Sequence, residues 1–115
     1  DNYKQVNVKA EDAAPDSILN FYRKLVKFRK NTPAAIYGDY TEYYADSKQL
    51  YVYARRYEGK ALLVICSFTE KPVRFDAPAG IVLSEEKLVL SNYDVNFVIS
   101  NGFTTRPYET RVYML

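Results

Sequence analysis

The spacing of apolar residues splits the chain into two regimes that change over near residue 35. Over 17–30, Ile18, Phe21, Tyr22, Leu25 and Val26 recur at the i, i+3, i+4, i+7 and i+8 positions of one helical face, with Asn20, Arg23, Lys24, Lys27 and Lys30 opposite. This predicts an amphipathic helix with one buried side. Pro15-Asp16-Ser17 supplies the start signal, since either Asp16 or Ser17 can accept a bond from the free N–H groups of the first turn. Arg29 and Lys30 complement the negative end of the helix dipole, and Thr32-Pro33 stops the helix because the residue before proline avoids helical angles. Residues 1–15 carry no sustained period and read as a loop.

From Ala35 onward the period is two and the residues are those that suit a pleated sheet. In 49–58, Leu50, Val52 and Ala54 share one face while Tyr51, Tyr53, Arg55 and Tyr57 share the other. Glu58-Gly59 then predicts a two-residue hairpin turn, because glycine tolerates a positive φ. Its partner strand, 60–68, is almost continuously apolar from Ala61 to Cys66, the pattern of a central strand covered on both sides. Residues 73–76 are expected to continue the meander. Further strands are expected at 40–45, 87–91, 94–100 and 110–115. Short antiparallel strands joined by tight turns predict a mainly β fold, an antiparallel β-sandwich preceded by one amphipathic α-helix.

Composition narrows the function classes. A chain of 115 residues has the size of one domain, and its 48% hydrophobic and 26% charged residues are the mixture of an ordinary globular protein. The 16 basic and 14 acidic residues are spread along the chain, so nucleic acid is not an expected partner. The longest apolar run is far shorter than the roughly 20 residues that span a bilayer, so no membrane association is expected. The single cysteine, Cys66, excludes an internal disulfide and points to a reducing, cytoplasmic compartment.

Little in the residues suggests chemistry. There is no histidine, the commonest general base and metal ligand, and the four glycines lack phosphate-loop spacing, so neither metal nor cofactor is expected. Cys66 lies inside an apolar strand, where a thiol is inert packing. Asp39, Asp46, Asp76 and Asp94 sit beside turns or on expected surface rather than as a carboxylate pair. Among twelve tyrosines, Tyr51, Tyr53 and Tyr57 on one strand face are the candidate platform for stacking a sugar. Cross-strand packing of the outer sheet face accounts for the same placement.

Read together, several segments resemble the C-terminal end of glycoside hydrolase family 13, the α-amylase family, in its oligo-1,6-glucosidase and α-glucosidase branch. Residues 2–8 look like the N-Y-x-x-I-N-V segment leaving the last barrel strand, and 17–30 the S-I-x-x-x-Y-R-K-L-I-x-L-R-K helix that closes the barrel. Gly38-Asp39-Tyr40 is similar to the G-D-Y that opens the C-terminal sheet domain. Residues 62–69 resemble its L-L-V-x-x-N-F-S strand, with Ser67 in place of asparagine, and 107–113 its closing P-Y-E-x-x-V-Y.

The resemblance implies a division into 1–34, the loop and last helix of a catalytic barrel, and 35–115, the C-terminal sandwich. The start at Asp1-Asn2-Tyr3, without an initiator methionine, likewise predicts the tail of an enzyme. Retaining glycosidases need two carboxyl groups about 5 Å apart, and in this family both lie on earlier barrel strands. No catalytic residue is therefore assigned, and the chain alone is expected to be inactive. Three readings follow: a non-catalytic domain supporting the barrel of an α-glucosidase, a carbohydrate-binding module with a tyrosine face, and an independent interaction protein whose helix covers its own sheet. If the barrel is the natural cover of the helix, its apolar face predicts self-association or fraying.

Overall fold

A computed structural model describes residues 18–115. The expected loop at 1–15, the cap at Asp16 or Ser17 and the 2–8 segment lie outside the described residues, as does the burial expected of Ile18 and Tyr22. Helix α1 (Ile18–Lys30) ends where the sequence predicts. Both the amide and the side-chain amide of Asn31 donate to the Lys27 carbonyl and so occupy a terminal acceptor. The stop at Thr32-Pro33 is also a start: Pro33 opens a short helix, α2 (Pro33–Tyr37), that the sequence reading did not foresee. Proline is favourable in the first turn, where its missing N–H has no partner to lose.

The strands follow as β1 (Thr41–Tyr43), β2 (Leu50–Tyr57), β3 (Lys60–Ser67), β4 (Arg74–Asp76), β5 (Leu88–Ser91), β6 (Gly102–Thr104) and β7 (Thr110–Met114). Five form an antiparallel sheet in the order β1-β2-β3-β7-β5, and β4 pairs with β6 in a separate ribbon. The β2–β3 hairpin is as predicted. Tyr57 pairs with Lys60, and Glu58 and Gly59 have φ of 50° and 79°, the handedness that matches strand twist. Strand β3 lies between β2 and β7, which explains its apolar run.

The five-stranded sheet has two covered faces. One carries Leu50, Val52 and Ala54 of β2, Leu63 and Ile65 of β3 and Tyr113 of β7, packed against Phe75, Phe103, Ile81 and Leu83. The other carries Leu62, Val64 and Val112, packed against Ala34 and Ala35 of α2 and Phe28 of α1. The mainly β sandwich expected from sequence is present, with the helices forming a third layer.

Three expectations are corrected. Residues 73–76 do not continue the meander; β4 leaves the large sheet to pair with β6, a three-residue strand too short for its period to be read. Residues 94–100 form no strand. Val95, Phe97 and Ile99 point outward, and the segment is held by side-chain bonds: Arg111 donates to the Phe97 carbonyl and the Val98 amide donates to Glu85. Ile99 and Gly102 exchange both backbone bonds around Ser100 and Asn101, whose φ of 53° and 54° make a tight turn into β6. On α1 the apolar face is rotated from the one expected. Val26 is 39% exposed, and Phe28, which the periodic pattern omitted, packs on the sheet.

Candidate functional site

Alternation along β2 places Tyr51, Tyr53, Arg55 and Tyr57 on the face beneath the helices, half-buried rather than presented to solvent. Tyr51 and Tyr53 come together, with ring centroids 5.2 Å apart and planes at 42°. Tyr40 stacks on Tyr53 at 5.4 Å, and Phe68 lies 6.2 Å from Tyr51, so the four rings form a continuous strip. The structure does not bring Tyr57 into this strip; its ring packs on Tyr37, 5.8 Å away. Tyr40 and Phe68 were missed because neither lies on β2, and only tertiary placement brings them to its face.

The strip borders a groove of about 390 Å³ between α1 and the sheet, walled by Leu25 and Phe28 on one side and Tyr51, Tyr53, Val64 and Cys66 on the other. The polar groups at its edge are largely engaged. Tyr40 and Tyr51 hydroxyls bond each other at 2.5 Å, a bond that raises the Tyr40 pKa. Arg55 donates to the carbonyls of Ala35, Gly38 and Asp39. Burial pushes the Tyr53 phenol and the Cys66 thiol up from their ordinary values, so both stay neutral at pH 7.

The four aspartates considered from sequence are exposed and do not converge. Asp39 accepts the Arg56 amide and Asp76 pairs with Arg74. Among the described residues no group of three or more His, Cys, Asp or Glu side chains is placed to hold a metal. No described helix is long and apolar enough to cross a membrane.

No protein-family model matches the chain. The oligo-1,6-glucosidase of Halalkalibacterium halodurans is 42% identical over 98% of this chain, but the match spans only 20% of that protein. Among solved structures, the trehalose-6-phosphate hydrolase of Bacillus licheniformis superposes with a TM-score of 0.82 at 35% identity, covering 99% of this chain and 21% of that one. An isomaltulose synthase from Klebsiella gives a TM-score of 0.85 at 30% identity, covering 98% and 20%. The chain belongs to the C-terminal region of family 13 glycoside hydrolases. It spans about a fifth of the length of the curated relatives it matches.

In this family 13 region the closing P-Y-E-x-x-V-Y pattern has a structural use that sequence reading missed. Glu109 is buried and accepts from Arg106 at 2.5 Å and from Arg111 at 2.7 Å. Burial alone would push its carboxyl up, but the bonds from the two guanidinium groups hold it below the usual carboxylate range. Arg111 lies over the Phe103 ring at 3.6 Å and also donates to the Tyr113 hydroxyl. The available signal was opposite charge at alternate positions, Glu109 just before β7 and Arg111 on it, with Tyr113 the next residue on the same side.

Proposed function

We infer that the chain is a non-catalytic C-terminal domain that stiffens and shields the catalytic barrel of a glycoside hydrolase acting on α-glucosidic bonds of oligosaccharides. The observation that carries this reading is the coincidence of a complete two-faced core with a match to only a fifth of each glycosidase relative. The conspicuous acidic group, Glu109, is saturated by two arginines and therefore serves the fold rather than proton transfer. The sugar-platform alternative has less support. The Tyr51 and Tyr53 rings are tilted and half-buried, and the Tyr40 and Tyr51 hydroxyls and the Arg55 guanidinium beside them are already paired. The lone Cys66, free of any disulfide, supports a cytoplasmic setting.

The test is a graft in which this chain replaces the matching fifth of the Halalkalibacterium halodurans enzyme. Hydrolysis of isomaltose retained in the graft, lost in the truncated enzyme and absent from the isolated chain is the expected result. A truncated enzyme as active and heat-resistant as the graft would remove the supporting role.

A further inference from the structure

We propose that Asn101-Gly102 is a site of spontaneous covalent modification, where the asparagine cyclises onto the next backbone nitrogen, and that the fold restrains the reaction by clamping both ends of the side-chain amide. Asparagine is among the thermolabile residues. Asn101 is the chain's one asparagine followed by glycine, whose missing side chain leaves the attacking nitrogen least crowded. The fold needs this pair where it stands. Asn101 has a left-handed φ of 54°, which asparagine tolerates better than most side chains do. A Cβ at position 102 would collide with the Phe75 carbonyl oxygen and lie 2.8 Å from the Arg74 guanidinium, so only glycine fits beside β4.

The chemistry needs only water. The Gly102 nitrogen attacks the Asn101 side-chain carbonyl carbon and gives up its proton to solvent; the new C–N bond forms, the bond to Nδ2 breaks and ammonia leaves. Water then opens the resulting succinimide at either carbonyl, giving aspartate or isoaspartate. In the folded chain every reacting group is occupied. Oδ1 accepts the Leu83 amide at 2.7 Å, Nδ2 donates to the Ile81 carbonyl at 2.8 Å, and the Gly102 amide donates to the Ile99 carbonyl at 3.2 Å. Asn101 is itself exposed, so access of water does not limit the reaction. The limit is separation of 81–83 from the 99–102 turn, a local opening that takes less free energy than global unfolding. After modification the clamp cannot close as before. A carboxylate has no N–H for the Ile81 carbonyl, and isoaspartate adds a methylene to the backbone of the turn. Ile81 and Leu83, which the clamp holds in the core with Phe75 and Phe103, then lose their tether.

Deamidation is followed by peptide mass spectrometry on the chain at mildly alkaline pH, in buffer and in urea, with Asn31, Asn92 and Asn96 as controls because bulkier residues follow them. A chain without a thermal transition of its own is measured in the graft instead. In urea, Asn101 is expected to react at least ten-fold faster than any control; in buffer, it should react at least ten-fold slower than in urea and in step with hydrogen exchange of the Leu83 amide. Ile81→Ala, which loosens the tethered segment, should speed both Asn101 modification and Leu83 exchange while β3 amides exchange as before. Where that variant unfolds, sub-denaturing urea on the unaltered chain replaces it, and modification should follow Leu83 rather than β3. The modified fraction, separated by its added negative charge, is expected to melt at a lower Tm. Asn101 no faster than the controls in urea would overturn the site, and equal rates in buffer and urea would overturn the clamp. A rate that follows β3 as closely as Leu83 would overturn the local gate. An unaltered Tm in the modified fraction would overturn the claim that these bonds tether 81–83.

Discussion

Glu109 is the residue on which two arginines depend. Arg111 has only 3% of its side chain exposed, and without the carboxylate its charge would stand uncompensated in the sandwich interior. Glu109→Gln is expected to cost about 3–5 kcal/mol, the range for removing one partner of a buried ion pair, as read by urea unfolding at pH 7. The pH dependence has a definite sign. The folded carboxyl titrates below its ordinary value of 4.5, so its contribution is whole above 4.5 and is lost as acid protonates the folded state. The stability gap between wild type and Glu109→Gln should therefore be flat from pH 7 to about 5 and narrow below 4.5. A gap unchanged down to pH 3 would mean that the carboxylate charge is not what stabilises the site.

At the scale of elements, the sequence was legible where a period ran long enough to be seen. Eight residues of alternation in β2 fixed both its faces, and Glu58-Gly59 fixed its turn. Where elements shrink to three or five residues, as in β6 and α2, the period never completes and tertiary contacts decide. Residues 94–100 failed in another way. They alternate like a strand, but their outward positions are the large apolar ones, and bonds from Arg111 and to Glu85 hold the backbone where a neighbouring strand would otherwise do so. Helix α1 misled through phase, because a face drawn through Val26 excludes Phe28. Since Phe28 is its described anchor in the sheet cluster, Phe28→Ala is expected to cost about 1 kcal/mol, less than the 1.5–3 of full burial. Amide exchange should quicken across 21–30 and stay unchanged in β2 and β3. Equal acceleration in both would make the helix part of one cooperative unit with the sheet.

At the scale of the molecule, side-chain period tells which face a residue occupies and is silent on which strand lies next to which. The last strand illustrates this. Although β7 ends at Met114, it does not close the sheet; it sits between β3 and β5. Its residues pair with β3 from Leu62 to Cys66 and with β5 from Leu88 to Ser91. Its side chains serve both cores, Tyr113 in one and Val112 in the other, and Arg111 reaches the Phe97 carbonyl to hold 94–100 in place. Removing residues 110–115 would therefore strip one edge of β3, orphan β5 and open both faces at once, whereas loss of an edge strand such as β1 exposes one neighbour only. A chain ending at Glu109 is expected to lose its cooperative thermal transition by circular dichroism and to exchange β3 amides at unprotected rates. A chain without 39–45, the β1 arm, should keep the transition at a lowered Tm. Survival of the shorter chain with a sharp transition would mean that the β2–β3 hairpin and the β4–β6 ribbon suffice for the fold, and the central place of β7 would then be incidental to its stability.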